Sequence, residues 1–121
     1  MTAKGPAERF TGDVWFDDLG ATDNTTVMSV HFTPGAHTAW HSHPHGQVLH
    51  VTEGAGFVQA RDSGRQQIRA GDTVQAQAGE VHRHGAGPDT FLTHLAVQEG
   101  VTEWAEPSPT RSTTTDAPDA V

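Results

Sequence analysis

The chain has 121 residues, enough for one domain, and hydrophobic residues make up 34% of it. Seven Lys and Arg stand against 15 Asp and Glu, a net charge of −8 with histidine neutral. That balance argues against nucleic acid, which needs a basic footprint, and suits a small-molecule ligand. There is no cysteine, which excludes a disulfide scaffold, a thiolate metal site and a cysteine nucleophile. No run approaches the roughly 20 apolar residues of a membrane helix, so no membrane span is expected.

Residues 1–8 carry no apolar signal core and are expected to form a flexible arm, with the cytoplasm as the default location. From Arg9 onward Gly and Pro recur every few residues, with short β-branched and aromatic runs between them. No window shows the apolar spacing of a helix. The pattern predicts an all-β sandwich or barrel. In chain order the predicted strands are Asp13–Phe16, Thr25–Thr33, Thr38–His43, Gln47–Glu53, Gly56–Arg61, Gln66–Ile68, Thr73–Gln77, His82–His84 and Phe91–Glu99. Asp62-Ser63-Gly64-Arg65 reads as a hairpin turn. Residues 106–121 are almost wholly Pro, Ser, Thr, Ala and Asp and are expected to be a disordered tail. The folded domain is therefore expected over residues 9–105. So small a core makes oligomerisation a reasonable expectation.

Nine histidines outnumber the seven Lys and Arg. Histidine is the commonest metal ligand and the usual acid–base group near neutral pH. His41 and His43 are two apart, so on a strand both rings leave the same face and can share one ion. Pro44-His45-Gly46 reads as a tight turn that can return the Gln47 amide oxygen to that point. The segment Gly79-Glu80-Val81-His82-Arg83-His84 could supply a third imidazole from another strand. Three imidazoles and a carbonyl oxygen suit a divalent first-row metal rather than calcium or magnesium. His37, His45 and His50 fall outside this phase and are expected at the surface or an interface. His31 is expected to be structural, and Trp40, next to His41, to face away from the cavity.

These residues resemble a family. Gly35, His41, His43, Gln47 and Gly54 match the spacing of the first cupin motif, and Gly71, Gly79 and His82 that of the second. Gln47 stands where that motif ordinarily has Glu, Gln77 where the second has Pro, and Ala86 where it has Asn. The segments Arg9–Gly12, Phe32–Gly35, Thr38–Pro44, Gly46-Gln47 and Thr93–Glu99 are similar to bacterial small single-domain cupins, a group that includes manganese-dependent hydroxynitrile lyases. The resemblance implies a double-stranded β-helix, that is a small β-barrel or jelly roll, with a homodimeric assembly. It implies a metal held by His41, His43, Gln47 and His82, manganese foremost, with iron, cobalt, nickel or zinc as alternatives. It further implies that His94 acts on substrate, with Thr38, His84 and Gln98 as polar neighbours around the pocket.

A neutral Gln47 leaves the full +2 on such a metal, which favours Lewis-acid chemistry over oxidation. On the last strand Leu92, His94, Ala96 and Gln98 share one face. If that face is interior, burial keeps His94 neutral and fit to act as a base near pH 7. By strand phase Met28, Val30 and Phe32 also face the pocket. The expected function is a metal-dependent lyase of the hydroxynitrile-lyase type. The alternatives are an oxygen-dependent cupin dioxygenase and a non-catalytic cupin that binds metal or ligand.

Overall fold

Short apolar runs punctuated by Gly and Pro become strands throughout the described residues. The computed structural model describes residues 2–105. The expected tail, residues 106–121, lies outside the described residues. Among the described residues there is no helix, and so none long and apolar enough to cross a membrane. The elements are β1 (Thr2–Lys4), β2 (Phe10–Thr11), β3 (Val14–Ala21), β4 (Thr25–Phe32), β5 (His37–Thr38), β6 (His41–Ser42) and β7 (Gln47–Ala60). They continue with β8 (Gln66–Arg69), β9 (Thr73–Ala76), β10 (His82–Ala86), β11 (Leu92–Glu99) and β12 (Glu103–Trp104).

The strands form two curled antiparallel sheets that share β7. One runs β1-β3-β4-β11-β7-β9. The other runs β8-β7-β10-β5-β2, with β6 on β10 and β12 on β6. The first part of β7 pairs with β9 and β11 and the second with β8 and β10. The strand bends between them at Gly54 (φ +79°) and Gly56, where a β-carbon would collide with the carbonyl oxygens of Phe91 and Gly85. The sequence predicts two strands here, Gln47–Glu53 and Gly56–Arg61. The two glycines instead let one strand turn the corner without losing its pairing. The hairpin expected across residues 62–65 forms between β7 and β8.

Between the sheets lie Val14, Val30, Phe32, Leu49, Val51, Ile68, Leu92 and Ala96, each no more than 3% exposed. Burial of each large side chain stabilises the fold by about 1.5–3 kcal/mol. The inward phase expected for β11 is the one observed, since Leu92, His94, Ala96 and Gln98 are all buried. Val30 and Phe32 are buried as their phase predicts, and Met28 packs at the edge of the core.

The predicted strand Thr38–His43 is two short strands. Its centre bonds elsewhere: the Ala39 amide donates to the Arg9 carbonyl (2.8 Å), and the Trp40 carbonyl accepts from the Ala105 amide (2.9 Å). The pairings of β1, β2 and β12 are absent from the sequence-based expectation. Within the expected N-terminal arm, Thr2–Lys4 pair with Trp15–Asp17.

Candidate metal centre and histidine pair

Five fully or nearly fully buried histidines line the barrel interior, and the strands divide them into two groups. His41 lies in β6 and His82 opens β10, directly opposite each other in register. His43 follows β6 and precedes a turn closed by the Gly46 amide, which donates to the His43 carbonyl (3.0 Å). Ring centroids are 5.1 Å apart for His41 and His43, 4.6 Å for His41 and His82, and 5.5 Å for His43 and His82. One nitrogen from each ring lies within 4.8 Å of the other two.

The outer nitrogens are anchored. His41 Nδ1 meets the Ala39 carbonyl at 2.8 Å, His82 Nδ1 the Glu80 carbonyl at 3.2 Å and His43 Nδ1 the Thr102 hydroxyl at 3.4 Å. An N–H at Nδ1 leaves the lone pair on Nε2, the form a metal requires. His41 Nε2 and His43 Nε2 are buried with no partner. His82 Nε2 sits 3.2 Å from Gln47 Oε1. A neutral His82 has one N–H for the two oxygens facing it, so one lone pair must oppose an oxygen. A cation at that point would relieve the conflict and use the orphaned nitrogens as well. The residues present therefore fit a divalent ion. The Gln47 amide donates to Gln98 Oε1 at 2.7 Å, which turns its carbonyl oxygen towards the imidazoles.

Burial keeps these rings neutral. It drives His41 well below the ordinary imidazole value, reinforced by His82 and His43. It lowers His43 to about 4, again with repulsion from His82, and it also lowers His82.

The second group is His84 on β10 and His94 on β11, both fully buried. His94 Nε2 lies 3.1 Å from His84 Nδ1. Neither ring makes a well-formed hydrogen bond to a carbonyl, and His84 Nε2 and His94 Nδ1 are without one, although the carbonyls of Leu95 and His94 lie near the His94 ring and partly oppose the effect of its burial. Phe32 covers both, with centroid distances of 5.8 and 5.4 Å. Burial drives His84 well below its ordinary value, with His94 the next cause, and lowers His94 to about 4. Two neutral rings share one N–H between them, so either can donate. When His94 donates through Nε2, its Nδ1 keeps a lone pair.

All eight residues singled out from sequence are buried. Thr38 acts on backbone, its hydroxyl accepting from the His84 amide at 3.3 Å. His45 and His50 are exposed and His37 half-buried. His31 bridges Asp17 (3.0 Å) and Thr93 (3.1 Å) on the outer face. Trp40 is half-buried between the guanidinium groups of Arg61 and Arg83. The sequence reading missed Thr102 and Trp104, whose ring lies 4.9 Å from that of His41. Their only sequence signal is an aromatic residue in an otherwise polar stretch.

A cavity of about 300 Å³, lined in part by Leu49, Val58, Val74 and Ala76, reaches the site at His82. A second, of about 220 Å³, reaches Gln47 and Gln98. Another, of about 570 Å³, lies around Ile68, Arg69 and Pro88 and touches none of the eight residues.

Comparison with known proteins places these observations. The family model of the cupin domain matches residues 28–95. An (R)-mandelonitrile lyase from Granulicella tundricola is 48% identical over 101 residues, covering 81% of this chain and 77% of that protein. A cupin-like protein of solved structure from Thermotoga maritima is 42% identical with a TM-score of 0.83, over 87% of this chain and 85% of that one. A polyketide cyclase from Streptomyces resistomycificus is 19% identical with a TM-score of 0.69, over 79% of this chain and 73% of that one, a likeness of fold alone.

Proposed function

The chain belongs to the cupin domain family, with that family's double-stranded β-helix, and from this premise we propose that it is a metal-dependent lyase of the hydroxynitrile-lyase type. The observation that carries the reading is the buried, inward-facing His41, His43 and His82 in a chain 48% identical to an (R)-mandelonitrile lyase.

We assign the metal to Nε2 of His41, His43 and His82 and to Gln47 Oε1, with manganese first and iron, cobalt, nickel or zinc as the alternatives. Such an ion supplies Lewis-acid polarisation of a hydroxyl or carbonyl oxygen, at full +2 because all four donors are neutral. The chain's own residues do the rest. Gln98 holds the Gln47 amide so that its oxygen faces the imidazoles. Thr38 fixes the backbone at His84, and His84 orients His94 ring to ring. His94 Nδ1, neutral and without a well-formed hydrogen bond of its own, takes the hydroxyl proton of a cyanohydrin. The bond to the nitrile carbon breaks, its electron pair leaves with cyanide, and the aldehyde carbonyl forms. His94 then returns the proton to cyanide, and the reverse sequence builds the cyanohydrin.

The working unit we propose is a homodimer. Val27, Val97 and Val48 lie side by side across β4, β11 and β7 on the outer face, beside Leu95, and Val48 is 41% exposed.

The test follows benzaldehyde release from mandelonitrile, without oxygen, by protein loaded with each metal in turn, with bound metal measured on the same sample. Metal-dependent release supports the reading and identifies the competent ion. Full metal loading with no release, but with oxygen uptake on other substrates, replaces it with a dioxygenase. Full loading with no turnover on any substrate replaces it with a cupin that only binds.

A further inference from the structure

The three imidazoles of the candidate metal centre are not held alike. His41 and His82 rest on the carbonyls of Ala39 and Glu80, each two residues back in its own segment. Those anchors arrive with the local backbone. His43 has no such carbonyl; its Nδ1 meets the hydroxyl of Thr102, 59 residues further on. The chain reaches that point by a crossing at the barrel end. After β11 it turns at Gly100 (φ +76°), whose amide donates to the Asn24 carbonyl at 3.0 Å, and passes over Pro44 and His45. It then pairs as β12 against β6, with Trp104 opposite His41 and Glu103 opposite Ser42. Thr102 is 4% exposed. The Trp104 ring stands 4.9 Å from His41 and is itself backed by Phe10 edge-on at 5.9 Å and by the Arg9 guanidinium at 5.2 Å.

We propose that Thr102 and Trp104 are positioning residues of the metal centre: the Thr102 hydroxyl accepts the His43 Nδ1 proton, and the Trp104 ring backs His41. The proposal rests on the metal reading above. Accepting at Thr102 Oγ1 fixes His43 with its proton on Nδ1 and its lone pair on Nε2, aimed at His41 and His82. Without the hydroxyl, the His43 Nδ1 proton loses its side-chain acceptor at a buried position, and the opposite tautomer, which presents N–H to the metal, becomes competitive. Trp104 acts by shape, limiting how far the His41 ring can tilt. The second cupin motif and β12 thus clamp the first motif from opposite sides, since β6 lies between β10 and β12.

The experiment compares wild type, Thr102→Val, Thr102→Ser and Trp104→Phe, all as full chain. Zn²⁺ and Co²⁺ dissociation constants are measured by chelator competition, with the visible spectrum of the Co²⁺ form and the thermal midpoint of metal-free protein alongside. Thr102→Val should weaken metal binding by roughly 10–100-fold, as loss of such a partner does elsewhere, and change the Co²⁺ spectrum. Thr102→Ser should stay within about threefold of wild type, because the hydroxyl is all that the role requires. Trp104→Phe should shift the Co²⁺ spectrum while keeping binding within about tenfold. Wild-type affinity in Thr102→Val, or equal losses in the Val and Ser variants, overturns the role of Thr102. An unchanged Co²⁺ spectrum in Trp104→Phe overturns the role of Trp104. Should the Val variant not fold, nitrogen NMR of the wild-type His43 ring decides: a proton on Nδ1 is the predicted result, and one on Nε2 contradicts it. Wild-type protein that takes up neither ion overturns the metal centre itself, an outcome distinct from failure of Thr102 alone.

Discussion

The two groups of interior histidines differ in what holds them, and that difference separates their chemistry. His41 and His82 are tied through Nδ1 to backbone carbonyls, which fixes their protons, and His43 Nδ1 meets a hydroxyl, while one nitrogen of each of the three rings lies close to the other two. His84 and His94 make their one well-formed ring hydrogen bond with each other, and the far nitrogen of each has none. A ring whose Nδ1 donates to a carbonyl has one defined tautomer, with its lone pair on Nε2. A ring bonded to another ring can exchange the role of donor and acceptor. Both groups are buried and neutral, so burial alone does not set their use; the partner of the second nitrogen does.

The largest expected effect falls on the anchored group. His41→Ala and His43→Ala should each weaken metal binding by more than the roughly 100-fold that follows loss of an outer partner. Equilibrium dialysis with total metal analysis checks this, and stoichiometric metal in both variants would break the division between the groups. Phe32 sharpens it from the other side, since its ring touches His84 and His94. Phe32→Ala should cost about 3–5 kcal/mol in urea unfolding through cavity formation, while the metal dissociation constant of the folded protein changes little.

Acid affects both groups alike, and the sign follows from their depressed values. His43 and His94 titrate near 4 when folded, against an ordinary imidazole value of 6.5. Above pH 6.5 both states are neutral and stability is complete. As pH falls from 6.5 towards 4 the unfolded chain takes up protons first, and each such group removes up to about 3 kcal/mol. Urea midpoints of metal-free protein should fall steadily over that window, and a flat profile would contradict the burial described here. The smallest effect is expected at Gln47. Gln47→Glu should keep the metal but lower the net charge of ion and ligands from +2 to +1, slowing lyase turnover by roughly tenfold, about 1.4 kcal/mol. Faster turnover would contradict the charge argument.

Much of the anchored group was legible in the sequence, because its geometry is local. The spacing of His41 and His43 places two rings on one face, and the Pro44-His45-Gly46 turn returns Gln47 to the same place. The interior phase of β11 was legible for the same reason: alternation on an eight-residue strand is a strong signal. What escaped was non-local. Two-residue strands such as β2 and β12 have no periodicity to read and exist only because a partner strand waits for them. Thr102 and Trp104 come to the site through such a pairing. The ring-to-ring contact of His84 and His94 depends on two strands that both flank β7, an arrangement that residue spacing does not specify.

The division between ligand and base is tested most directly at His94. Bound metal and benzaldehyde release would be measured together, on one metal-loaded sample of His94→Ala beside wild type. The account predicts stoichiometric metal with turnover lowered roughly 10²–10⁴-fold, the usual contribution of a general base. Full metal with unchanged turnover would remove His94 from the chemistry and contradict the account at its centre.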